Sequence, residues 1–181
     1  MAATPFDISE LTQFAEELAD LSGETILPHF RERIAVHNKL GDGGFDPVTE
    51  ADRAAEEVIR ARIKARYPTH GVLGEEHGAE PGSSPLTWVL DPIDGTRAFM
   101  CGMAQWGTLI ALNDGAKPAV GILDQPYTRE RWVGAGGRTT FRDTQGHRSV
   151  LKTRACAALS AAVLSTTSPV GYYTSAQQDA F

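Results

Sequence analysis

From Ser9 onward the apolar residues Leu11, Phe14, Ala15, Leu18 and Leu21 recur at helical spacing. The spacing predicts a helix from Ser9 to about Phe30, capped by Ser9 or Asp7 and weakened in its second half by Gly23 and Pro28. Ile34 to His37 predicts a short strand, and the Gly-rich segment Lys39 to Phe45 a loop. A second helix starts after Thr49, with Asp52 three residues on at capping-box spacing. Its apolar stripe is Ala51, Ala55, Val58, Ile59 and Ile63, and Pro68 closes it. Gly71 to Glu76 and Thr87 to Leu90 then read as strands, with Glu80 to Pro85 as a surface loop between them.

Past Asp91 the pattern turns antiparallel. Gly107 to Leu112 and Ala119 to Gln125 flank a turn at Asn113-Asp114-Gly115. Arg131 to Gly134, Thr139 to Arg142 and His147 to Leu151 predict further strands, with a turn at Thr144-Gln145-Gly146. Composition changes near Lys152 to Ala158. Ala161 to Ser165 then reads as one more strand, and Ser175 to Phe181 as the first turn of a helix.

The chain has 181 residues, enough for one domain with a full core or for one domain plus part of another. A formal net charge of -6 argues against a nucleic-acid partner, because phosphate-backbone contacts need clustered Lys and Arg. It leaves room for a small phosphate ester held through divalent cations. Cys101 and Cys156 form neither a disulfide framework nor a zinc spacing and are expected to be buried or inert thiols. His29, His37, His70, His77 and His147 have no ligand spacing and are expected to be structural or solvated. No signal peptide and no stretch of ~20 apolar residues is visible, so no membrane partner and a cytoplasmic location are expected.

Chemistry concentrates in Trp88-Val-Leu-Asp91-Pro-Ile-Asp94-Gly95-Thr96. An apolar strand delivers Asp91 to its end, Pro92 keeps Asp91 extended, and Gly95 permits a tight turn. The Gly95 and Thr96 amides would open a helix and suit a phosphate. Asp91 and Asp94, three residues apart across that turn, would share a site with Glu75 if the Gly74-Glu75-Glu76 strand lies alongside. Two carboxylates ~5 Å apart repel by roughly 3 kcal/mol at an effective dielectric of 20, so a converging trio takes up protons or binds a hard cation such as Mg²⁺. Residue types alone leave two readings open, since Asp, Pro and Gly also form ordinary turns. Thr49 and Asp52 are explained by helix capping, and spacing alone leaves Asp46 and Lys39 as loop residues.

Asp46-Pro-Val-Thr-Glu-Ala-Asp52, Gly74-Glu-Glu76 and Trp88-Val-Leu-Asp-Pro-Ile-Asp-Gly-Thr96 together resemble the inositol monophosphatase family in order and spacing. Asp94-Gly-Thr-Arg-Ala-Phe99, Trp106 to Leu112 and Gly121 to Pro126 look most like its bacterial histidinol-phosphatases. The resemblance implies an α/β fold: the N-terminal α+β half, roughly residues 1–152, of a layered α/β/α/β/α sandwich. Residues 153–181 would begin a C-terminal α/β half that is largely missing, together with an Asp completing the second metal site. It implies two or three Mg²⁺ ions, one held by Glu75, Asp91 and the Ile93 carbonyl and another by Asp91 and Asp94. Gly95 and Thr96, with Asp94, would bind the substrate phosphate. Thr96 hydrogen-bonded to Asp46 would help Glu75 orient and deprotonate a water. Lys39 would approach as its loop closes, unless it is simply solvated. The expected reaction is hydrolysis of a small-molecule phosphate monoester, with histidinol phosphate first and an inositol, sugar or nucleotide phosphate as the alternative. A homodimer is implied. The competing expectation is a truncated product that binds metal without turnover.

Overall fold

The computed structural model describes residues 6–33, 36–38, 47–163 and 174–178. The chain divides into two compact units, Met1–Leu151 and Lys152–Phe181.

In the first unit, helix α1 spans Ile8–Ile26, and the Asp7 carboxylate accepts from the Ser9 amide at 2.9 Å and the Glu10 amide at 3.3 Å. Asp7 is therefore the cap, and Ser9 lies inside the helix. The weakened second half holds as helix to Ile26 and then tightens to a 3-10 turn, Leu27–His29, at Pro28. Strands β1 (Val36–Asn38) and β2 (Pro47–Thr49) pair antiparallel as a separate ribbon. Helix α2 spans Glu50–Arg66 and starts with the expected capping box: Asp52 accepts from the Thr49 amide at 2.8 Å and from the Thr49 hydroxyl.

The remaining strands form one eight-stranded sheet. They are β3 (Gly71–Gly74), β4 (Gly78–Glu80), β5 (Thr87–Asp94), β6 (Gly107–Asn113), β7 (Pro118–Gln125), β8 (Glu130–Ala135), β9 (Arg138–Arg142) and β10 (Arg148–Leu151). Their order is β10-β9-β8-β7-β6-β5-β3-β4. All neighbours are antiparallel except β3 and β5, which run parallel. A five-residue helix, α3 (Thr96–Met100), follows β5.

Helices α1 and α2 cover one face of the sheet. Leu11, Phe14, Leu18, Ile59 and Ile63 pack there on Trp88, Leu90, Ile110, Leu112, Val120 and Ile122. The Phe14 ring meets Trp88 edge-on at 5.5 Å, and Trp88 Nε1 donates to His70 Nδ1 at 3.1 Å. A second buried cluster of Ile26, Phe30, Ala51, Ala55, Ile93, Phe99 and Trp106 lies under the β5–α3 junction. The opposite face exposes Leu73, Val89 and Leu123. A shallow groove of about 540 Å³ on it is lined by Val89, Asp91, Leu109, Leu123 and Trp132, among others. This arrangement is the α/β class expected; β2 and β4 were not expected as strands, and the other strands of this unit fall within a few residues of the expected ones.

In the second unit the expected strand from Ala161 is not formed. Leu159–Ala161 is a 3-10 turn, Ala162 and Val163 have no regular structure, and the rest of that segment lies outside the described residues. An isolated extended segment has nowhere to place its backbone hydrogen bonds, and no strand partner exists among the described residues of this unit. A single helical turn, α4 (Ser175–Gln178), is present. Cys101 and Cys156 are free thiols, and both are exposed rather than buried.

Candidate metal centre

The parallel pairing of β3 with β5 sets the site. Its register joins Leu73 to Val89 and Gly74 to Leu90, and the Glu75 amide donates to the Leu90 carbonyl at 3.1 Å. One residue further, Glu75 is level with Asp91. Leu73 and Val89 are both exposed while Gly74 and Leu90 are buried, so alternation sends Glu75 and Asp91 to the same face, away from the helices. The two carboxyls are close enough that Glu75 helps to keep a proton on Asp91.

Asp94 requires a different account. The strand does not end at Leu90; β5 continues through Asp94, and the turn begins at Gly95. Residues three apart on a regular strand face opposite ways. Here Asp91 pairs with Leu109 but Asp94 pairs with Gly107, so β5 carries one residue more than β6 over this stretch. That bulge reverses the parity: Ile93 is buried in the helix-side cluster, and Asp94 returns to the side of Asp91. Pro92 fits here although β5 is an interior strand, because a bulge needs no ladder amide from it. Its carbonyl accepts the Thr108 hydroxyl at 2.8 Å.

Gly95 then takes φ 93°, a left-handed conformation, and caps α3. The Phe99 amide returns to its carbonyl at 3.1 Å. The Thr96 hydroxyl donates to the Ile93 carbonyl at 3.1 Å. Asp46 and Lys39 lie outside the described residues. Glu75, Asp91, Ile93, Asp94, Gly95 and Thr96 are thus brought together at one strand-to-helix junction.

Electrostatics set this junction apart. The Asp91 carboxyl is pushed up from 3.8 to about 8, first by burial and then by the charge and hydrogen bond of Glu75, with smaller contributions from Asp94 and Asp52. Asp91 Oδ1 is buried and has no hydrogen-bond partner. Among the described residues, no group of three or more His, Cys, Asp or Glu side chains is gathered tightly enough to hold a metal by itself. Mg²⁺ does not require such a group: it keeps several waters and is commonly bound through one or two carboxylates. A pair of carboxylates, an orphaned acidic oxygen and a nearby backbone carbonyl form a hard oxygen donor set that fits Mg²⁺.

Sequence reasoning left out Glu56. This buried α2 residue accepts from the Glu76 amide at 2.8 Å and the His77 amide at 3.1 Å, immediately after Glu75.

The chain matches the pattern of the inositol monophosphatase family over residues 7–180. It is 42% identical over 173 residues to a chloroplastic bifunctional phosphatase, IMPL2, of Arabidopsis thaliana, covering 92% of this chain and 48% of that protein. It is 41% identical over 129 residues to a histidinol-phosphatase of Chlorobaculum parvum, covering 68% and 49%. Among solved structures it is similar to an inositol monophosphatase from Zymomonas mobilis, with a TM-score of 0.66 and 39% identity over 83% of this chain and 55% of that one. The chain therefore spans about half the length of the relatives it matches. No helix among the described residues is long and apolar enough to cross a membrane.

Proposed function

The chain belongs to the inositol monophosphatase family, and from that premise we propose that it supplies the metal centre of a Mg²⁺-dependent phosphate monoesterase acting on histidinol phosphate. The observation that carries this reading is the parallel register of β3 and β5, which sets Glu75 level with Asp91 beside the start of α3. Open ends of parallel strands are where ligands enter α/β sheets.

In this reading Glu75, Asp91 and the Ile93 carbonyl would hold one ion, and Asp91 and Asp94 would take part in holding a second. Mg²⁺ supplies charge neutralisation at the phosphate oxygens and a lowered pKa for the attacking water. The chain's own residues do the rest. The Gly95 and Thr96 amides donate to phosphate oxygens. The Thr96 hydroxyl donates to the Ile93 carbonyl rather than, as expected, to Asp46, so it would meet the water as an acceptor. Glu75 would receive the proton. Histidinol phosphate is put first because relatives at 41% and 42% identity are named histidinol-phosphatase. Inositol monophosphate is the second reading, favoured by relatives of that name at 34% and 35% identity.

The test is phosphate release by the 181-residue chain with Mg²⁺, with chelator, and in an Asp91→Asn variant. Release that disappears with chelator and with Asp91→Asn, and is fastest on histidinol phosphate, is expected. Release insensitive to both, or no release above a Glu75→Gln control, refutes the reading. The second outcome would assign the chain to metal binding without turnover. Equal rates on histidinol phosphate and inositol 1-phosphate would remove the substrate assignment alone.

A further inference from the structure

Glu56 sits on the buried face of α2 with no exposed surface, where an unpaired carboxylate is costly. Three donors surround it: Arg60 Nε at 2.7 Å, the Glu76 amide at 2.8 Å and the His77 amide at 3.1 Å. Arg60 in turn donates to the Gly78 carbonyl and lies 3.7 Å from Glu80. One helical turn of α2 thus holds both the β3–β4 connection at Glu76 and His77 and strand β4 at Gly78 and Glu80. On the other side of Glu75, its amide is fixed to the Leu90 carbonyl of β5 at 3.1 Å.

Gly74 completes the arrangement. A Cβ on Gly74 would lie 2.0 Å from Glu56 Oε1, so the carboxylate occupies the space a side chain would need. The glycine of Gly74-Glu75-Glu76 is there because Glu56 lies beneath it. The backbone before Glu75 is held to the sheet, and the two amides after it are held to the helix.

We propose that Glu56 is a positioning residue: it clamps the turn after β3 so that Glu75 stands opposite Asp91 before any cation arrives. This rests on the reading of Glu75 as a metal-holding group. Glu56 touches neither cation nor substrate. Its effect is on the affinity of the site for metal, since loss of the partners that orient a ligand commonly weakens binding by about 10- to 100-fold.

The test uses Mn²⁺ as the probe, read from the electron paramagnetic resonance signal of the free ion, on the full 181-residue chain and its variants. Glu56→Gln keeps the shape but turns an NH₂ group toward one of the three donors. Mn²⁺ affinity is expected to fall at least tenfold, with faster hydrogen exchange at the Glu76 and His77 amides. Glu56→Asp keeps the charge for Arg60 but is one methylene too short to reach both amides, so it is expected to fold and to bind Mn²⁺ several-fold more weakly. Val133→Ala removes core packing on β8, remote from Glu75 in the sheet order, and is expected to lower stability with Mn²⁺ affinity unchanged. A folded Glu56→Asp or Glu56→Gln with the parent's Mn²⁺ affinity overturns the proposal, as does equal weakening by Val133→Ala. A parent chain that binds no Mn²⁺ overturns the metal reading itself, and this proposal with it.

Discussion

Removing the charge of Asp91 should make the metal-free protein more stable at alkaline pH. The Asp91 carboxyl rises from 3.8 to about 8 in the folded chain, mainly through burial and then through Glu75. The native state therefore holds a proton that the unfolded state has released. Stability is greatest below the unfolded value, falls between about pH 4 and pH 8, and levels off above that. At about 1.4 kcal/mol per pH unit the whole interval sets a ceiling of about 6 kcal/mol. Asp91 is only half-buried, so solvent screening reduces the expected loss to about 2–3 kcal/mol. Urea unfolding in chelator at pH 5 and pH 8.5, for the parent and for Asp91→Asn, isolates this group from other titrations. Because part of the loss is already complete at pH 5, the parent should lose about 1.5–2 kcal/mol more than the variant between the two pH values. Mg²⁺ at a hundred times its dissociation constant should restore about 2.7 kcal/mol to the parent at pH 8.5. Parallel pH profiles for parent and Asp91→Asn would refute the reasoning, because they would mean that Asp91 ionises freely beside Glu75.

Gly95→Ala should cost at least about 1–2 kcal/mol from its left-handed backbone alone. It should cost more from a Cβ placed 2.7 Å from the Gln105 carbonyl, and a thermal melt within 1 °C of the parent would contradict this. Arg131 is buried and bonded to Asp124 and Asp20 at 2.6 Å each, so Arg131→Met should strand Asp124 and cost about 3–5 kcal/mol. Burial already holds the Asp124 carboxyl above its ordinary range against the pull of Arg131. The deficit should therefore shrink as pH falls from 7 to 5 in urea titrations, and a constant deficit would show that Asp124 is not the stranded group.

Much of this was legible in the chain because the local signals were strong. Thr49 and Asp52 announced the start of α2, and Asn113-Asp114-Gly115 announced the β6–β7 turn, since each is fixed by a few residues adjacent in sequence. The extent of β5 was not. Period-two reasoning stops at Leu90 because Asp91-Pro92 reads as a strand end, and a bulge leaves no mark on a hydrophobic pattern. The fate of Ala161 to Ser165 was illegible for a related reason: apolar residues predict a strand, but only a partner makes one. Glu56 was hidden because Glu56 and Arg60, four apart on a helix, look like a surface ion pair. Its place beside Ala55 and Ile59 on the buried stripe was the one available hint.

A single feature of topology explains why acidic residues from distant stretches converge. In a fully antiparallel sheet, neighbouring strands end at opposite edges, and Glu75 would lie a strand's length from Asp91. The lone parallel pairing, β3 with β5, brings both carboxyl ends to one edge in register. The bulge then recruits Asp94 from the same strand, and the left-handed Gly95 turns the chain at once into α3, so the amides at its start arrive beside the carboxylates. Each step brings like charges closer. A shared proton or a cation would offset the energy of that crowding. The raised Asp91 carboxyl is the first of these, and it is the state a divalent ion would displace.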